Sequence, residues 1–342
     1  MTLPPEDSPG PSGESGAPEQ GKQRRRLSPF GRRVQDRRAG LERQVQEQVQ
    51  ATKAQFDATS ERIQQRTGRN LLLAVPIGIV LGGLLLLSLI FIKELFMIFA
   101  AAVAGFTGFE FATALRVAGL RIPRIPLAIL GVALVPAAYY LHASGQWFVA
   151  IAAVLLLWAW RLVEDIARVH RADGRGLIRD LSASALAFLY VPFLACFSVL
   201  LVAQTNGEWW TLAALILVVA VDTGAYAAGV MFGKHPMAPT ISPKKTWEGF
   251  AGAAVVALAA GVILAVFMLH APFWFGFVFG ALLLGSATMG DLTESLIKRD
   301  IGIKDMSSWL PGHGGFFDRL DSILPSVALA YVLYEIFSPL FS

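Results

Sequence analysis

Residues 181–204 read LSASALAFLYVPFLACFSVLLVAQ, an unbroken run without a charged side chain. As a helix such a run crosses a bilayer, whose hydrocarbon core needs ~20 apolar residues. Working outward, comparable segments occupy 70–91, 94–115, 127–143, 146–163, 209–232, 249–269, 272–291 and 321–338. The pattern predicts an all-α, polytopic integral membrane protein with about nine transmembrane helices. Composition agrees, since 55% of the 342 residues are hydrophobic. The single cysteine, Cys196, lies inside the quoted run. It excludes an intramolecular disulfide and a cysteine zinc cluster, and reads as a small core residue.

Residues 1–68 form a polar, basic tail, and residues 69–342 the transmembrane catalytic domain. Pro, Gly and Ser concentrate in 4–17, and no apolar stretch follows the first basic residues as a signal peptide would require. Nine basic residues fall between Lys22 and Arg43, against Asp36 and Glu42. Leu41, Val45, Val49, Phe56 and Ile63 recur at helical spacing, which suggests a short amphipathic helix. Such a tail either lies on an anionic leaflet or is a largely disordered segment that fixes orientation.

Lys and Arg favour the cytoplasmic side of a membrane protein. With nine spans, 28 of the 29 Lys and Arg fall in the tail and the even-numbered loops, and only Lys93 on the other side. The expected location is a bacterial inner (plasma) membrane with a cytoplasmic N-terminus. His142, His270, Trp147, Trp209, Trp210 and Trp274 then mark the opposite interface, as an aromatic belt does.

The polar sequences of the second half carry more than orientation. Asp222, Asp291 and Asp321 sit at or inside span ends, where an unpaired carboxylate is costly and calls for a cation or a wet cavity. On a helix Asp291, Glu294 or Ser295, and Lys298 share one face, and Asp318 and Asp321 are likewise three apart. Carboxylates backed by Lys and Arg suit a polyphosphate bound through a hard cation such as Mg²⁺. Gly312, Gly314 and Gly315 let backbone amides approach an anion. A P-loop fails, because Val230 and Met231 follow Gly229 where Lys and Ser or Thr belong.

Together these residues resemble a known family. Ser295-x-Ile-Lys-Arg-x₄-Lys304-Asp-x-Ser-x₂-Leu-Pro-x-His313-Gly-Gly-Phe-x-Asp318-Arg-Leu-Asp321 is similar to the signature of phosphatidate cytidylyltransferases, with no broken position. Asp222-Thr-Gly-Ala-Tyr226 and Ser242-Pro-Lys-Lys-Thr-Trp-Glu-Gly249 resemble that family's second region. The resemblance covers roughly 70–342. It implies a reaction of CTP with phosphatidic acid to give CDP-diacylglycerol and pyrophosphate, assisted by one or two Mg²⁺ ions. Implied partners are CTP, phosphatidic acid and membrane lipids; nothing calls for nucleic acid, and a homodimer is compatible.

Under this reading Asp222, Asp291 and Asp318 are metal ligands. Asp318 and Asp321 could instead orient Arg319 and Lys298. Lys244, Lys245, Lys298, Arg299 and Arg319 face phosphate, although they also serve as positive-inside anchors. His313 donates to phosphate, shuttles a proton or closes a turn. Ser242, Ser295, Lys304, Gly314, Gly315 and Asp321 contact substrate; Ser295 has no adjacent base to make it a nucleophile. Glu110 either pairs with Arg116 or faces the cavity. Two rivals remain. A secondary transporter commonly shows related halves, which are not visible here. A CTP-dependent lipid kinase would transfer the γ-phosphate to an alcohol.

Overall fold

The computed structural model describes residues 71–167, 173–303, 306, 307, 309 and 314–341, all within one compact unit, Ile63–Ser342. The tail and its expected amphipathic helix lie outside the described residues. The helices are α1 (Leu71–Phe91), α2 (Lys93–Val117), α3 (Arg124–Ile166), α4 (Gly174–Val202), α5 (Gly207–Phe232), α6 (Trp247–Phe267), α7 (Phe273–Asp300), α8 (Phe317–Leu320) and α9 (Ile323–Phe341).

Among the described residues, seven helices (α2 to α7 and α9) are long and apolar enough to cross a membrane. The expectation of about nine differs on two counts. It adds α1, and it divides α3 in two. α3 runs 43 residues but leaves helical geometry at His142 (φ 55°, ψ −154°). An unbroken helix of that length would extend ~65 Å, about twice the hydrocarbon core.

α4 starts well before the expected 181. Asp173 caps it, its carboxylate accepting from the Gly176 N–H at 3.1 Å. At Leu189–Phe193 the turn widens to π geometry around Pro192, which has no N–H to donate. Arg161 counts with the positive charges that follow the fourth span. It is fully buried, and its guanidinium donates to Asp180 at 2.9 and 3.0 Å, joining α3 to α4.

Within the loop between α5 and α6 the otherwise all-α fold carries one short antiparallel hairpin among the described residues, β1 (Pro236–Ala238) with β2 (Ser242–Thr246). Glu248 fastens its start, accepting from the Lys234 and His235 N–H groups at 3.1 and 3.2 Å and meeting His235 Nδ1 at 2.5 Å. Thr246 caps α6 by accepting from the Gly249 N–H at 3.1 Å.

α6 buries Gly249, Ala253, Ala257 and Gly261, one every fourth residue. That stripe of small side chains lets α5 and α7 pack closely on either side. One core joins α2, α3 and α4, and a second joins α5, α6 and α7. α9 contributes Leu324 to the first and Ala330 and Leu333 to the second. Asp321, just ahead of α9, therefore stands where the two cores meet. Cys196 is buried in the first core, as a small packing residue. Trp147, Trp209 and Trp274 are exposed as belt residues are, whereas Trp210 is only 5% exposed and packs on Phe275, Phe279 and Tyr334.

Candidate active site

A cleft of about 610 Å³ opens between α5, the hairpin, α6 and α7, lined among others by Asp222, Ser242, Lys244, Lys245, Thr288 and Asp291. Each is there for a local reason. Asp222 lies on α5 and Asp291 on α7, which pack either side of α6. β2 carries Ser242, Lys244 and Lys245 across the opening. Lys245 Nζ lies 2.6 Å from Asp291 Oδ2, with both side chains partly exposed. Asp222 is within electrostatic reach of Asp321, Asp291 and Lys245. A larger cavity of about 810 Å³, lined by Trp209, Trp210 and His270, carries no Asp, Glu, Lys or Arg in its wall among the described residues. Charge, rather than size, singles out the smaller cleft.

Next to Asp291, carboxylate oxygens of Asp291, Glu294 and Asp321 lie within 4.8 Å of one another. Glu294 is 2% exposed, and its Oε1 is buried with no hydrogen-bond partner among the described residues. Its Oε2 lies 2.8 Å from Lys298 Nζ. The sequence left Glu294 and Ser295 as alternatives on the α7 face. The structure buries Glu294 and leaves Ser295 half-buried. Three converging carboxylates repel one another unless protonated or bridged by a cation, and an unpartnered buried oxygen is the kind of donor a hard cation takes. Burial, then the charge of Asp291, pushes the Asp321 carboxyl above its ordinary value.

Asp318 is differently engaged. Lys298 Nζ lies 3.2 Å from Oδ1, and Oδ2 accepts from the Gly315 N–H at 2.8 Å and the Met306 N–H at 3.2 Å. Burial alone would raise its pKa. Its contact with Glu294, the Gly315 N–H and the Lys298 charge outweigh burial and hold the carboxyl below the usual value. The expected trio Asp222, Asp291 and Asp318 is thus grouped otherwise, with Asp291, Glu294 and Asp321 as the converging set.

Glu110 joins neither Arg116 nor the cleft. It is 1% exposed and accepts from the Phe317 N–H at 2.8 Å, the Phe316 N–H at 3.2 Å and the Ser307 hydroxyl. It thereby clasps the glycine-bearing segment from α2. Gly314 has φ +82°, and a Cβ on Gly315 would run into the Glu110 carboxylate, so both positions require glycine. A lone carboxylate in an apolar helix was the only sign of this role, and its partners lie about two hundred residues on. Arg299 Nε donates to the Ile241 carbonyl at 3.2 Å and so braces the hairpin. Arg319 is exposed, on α8. Lys304 and His313 lie outside the described residues.

Set against known proteins, residues 73–337 match the cytidylyltransferase family. The chain belongs to this family. A phosphatidate cytidylyltransferase of Mycobacterium bovis is 40% identical over 273 residues, covering 78% of this chain and 89% of that protein. The Mycobacterium leprae protein of the same name is 39% identical over 276 residues, 78% and 88% of the two chains. The Bacillus subtilis protein of that name is 32% identical over 271 residues, 76% and 96% of the two. The cytidylyltransferase match takes in every residue of the cleft and the carboxylate group, and leaves the basic tail outside it.

Proposed function

We propose that this protein transfers the cytidylyl group of CTP to phosphatidic acid, giving CDP-diacylglycerol and pyrophosphate for phospholipid synthesis. The observation that carries the reading is the cleft that sets Lys244 and Lys245 against Asp222 and Asp291, both carried on membrane-crossing helices. A phosphate oxygen of the lipid attacks the α-phosphorus of CTP in line, and the bond to the bridging oxygen of the leaving pyrophosphate breaks. Both reactants are anions, so catalysis rests on positioning and charge neutralisation. Lys244 is exposed at the opening and suits the nucleotide's phosphates. Lys245 and Lys298 each stand against a carboxylate, poised to share their charge with phosphate oxygens.

Asp291, Glu294 and Asp321 would hold Mg²⁺, flanked by Asp222 and Asp318; the unpartnered Glu294 Oε1 supports this set. When bound, the cation would draw charge from the phosphate oxygens and the departing pyrophosphate. Asp318 holds the Gly315 and Met306 backbone in register by accepting from their N–H groups.

CTP is a cytosolic nucleotide, so the cleft opens to the cytoplasm of a bacterial cell, across its inner membrane. That orientation agrees with the division of Lys and Arg. It corresponds to nine crossings, α3 crossing twice with its reversal at His142.

Purified protein given CTP, phosphatidic acid and Mg²⁺ tests the reaction. Label in the α-phosphate of CTP enters the lipid, while γ-label leaves as pyrophosphate. Recovery of γ-label in the lipid would overturn the reading in favour of a lipid kinase.

A further inference from the structure

A second cleft, of about 310 Å³, runs between α1, α2, α4, α5 and α9. Its wall is apolar, with Gly82, Leu85, Phe96, Ala100 and Leu324 among its residues, and among the described residues it has one charged member, Arg319. Arg319 directly follows Asp318, and its neighbours Phe316 and Leu320 also line the cleft. The cleft thus begins at the backbone segment that also carries Asp318 and Asp321. It extends to Thr211 on α5, eleven residues before Asp222. Eleven helical residues rise ~16 Å, about the thickness of one leaflet's hydrocarbon. The volume lies at the lower end of the range for ligand pockets.

We infer that this cleft seats one acyl chain of the phosphatidic acid substrate, with Arg319 holding the lipid phosphate at its mouth. The inference rests on the proposed reaction and adds where the lipid lies during it. A guanidinium at the head of an apolar slot is complementary to a phosphate monoester carrying a hydrocarbon tail. An apolar slot at this depth excludes the triphosphate of CTP. The two substrates therefore reach the carboxylates from different sides, the nucleotide through the hairpin cleft and the lipid through this one.

Gly82 and Gly83 supply a matched test. A Cβ added at either meets nothing within 4 Å, but only Gly82 lines the cleft. Gly82→Leu should therefore raise KM for dioleoyl phosphatidic acid about tenfold, the equivalent of roughly two buried methylenes lost. KM for dihexanoyl phosphatidic acid and for CTP should stay within twofold, and Gly83→Leu should change none of the three. Arg319→Gln should raise KM for both lipids alike, because both carry the phosphate. Equal KM shifts for the two lipids in Gly82→Leu, or none for either, would overturn the acyl-chain assignment. Unchanged lipid KM in Arg319→Gln would overturn the headgroup contact. A phosphatidic acid with a photoreactive group midway along one chain gives a readout independent of turnover. It should label α1, α2 or α9 peptides, and less so in Gly82→Leu; labelling confined to other helices would refute the cleft. Absent turnover in the unaltered protein would instead refute the proposed reaction, while the labelling still decides where the chain sits.

Discussion

Replacing Glu110 with alanine is the sharpest test of how the site is assembled. The carboxylate accepts from two backbone N–H groups, of Phe316 and Phe317, and from the Ser307 hydroxyl. The hydroxyl can rotate to another acceptor; the two amides cannot. Each amide left buried without a partner costs ~1–3 kcal/mol, so holding the segment in its present position would cost ~2–6 kcal/mol more. If that cost falls on the catalytic arrangement, turnover drops by about 30-fold to about 10⁴-fold. Glu110→Gln keeps one acceptor oxygen and should recover part of the loss. Glu110 lies on α2, outside the lining of the hairpin cleft, so it acts by position rather than by contact with substrate. The assay is the initial rate of α-label transfer from CTP to lipid, with thermal unfolding in detergent measured alongside. Wild-type turnover in a folded Glu110→Ala protein would refute the clasp.

Further outcomes follow from the same geometry. Asp222→Asn and Asp291→Asn should each lower turnover by orders of magnitude while the protein stays folded, and raise the Mg²⁺ concentration needed for half-maximal rate; unchanged rates at low Mg²⁺ would remove that residue from the site. Asp180→Ala should destabilise the protein by ~3–5 kcal/mol, because it removes both close hydrogen bonds of the buried Arg161 guanidinium and leaves it Asp165 at 3.8 Å; an unchanged thermal midpoint would show that the Asp180 pair contributes little. Cysteine probes at Thr205 and Pro239, both exposed, should label from opposite sides in a background lacking Cys196. Same-side labelling would separate the cleft from cytosolic CTP. Lys93→Gln removes a partly buried ion pair with Glu208 at 3.1 Å, far along the chain from the cleft residues, so the thermal midpoint should fall while turnover of the folded protein stays unchanged.

Hydropathy and charge belong to single residues and their near neighbours, so they are legible along the chain. The uncharged run at 181–204 identifies a membrane helix by itself, and the signature from Ser295 to Asp321 marks the chemistry. Even there, local signals misplaced details. The Asp173 cap started α4 before its apolar run, and His142 broke a helix whose composition is continuous. The partners of a buried charge are another matter, because they depend on which distant segments packing brings together. The sequence offered Arg116 to Glu110, and the fold gave it Phe316 and Phe317. Arg161 counted among the positive charges after the fourth span, and packing of α3 on α4 encloses it with Asp180. Glu294 and Ser295 stood level on a helical wheel, and only the approach of Asp321 ahead of α9 made Glu294 the residue facing a second carboxylate. The residue types and the uneven division of Lys and Arg were thus set by the chain. Which oxygens converge was decided by two cores meeting at α9, since desolvation and like-charge repulsion act through space rather than along sequence.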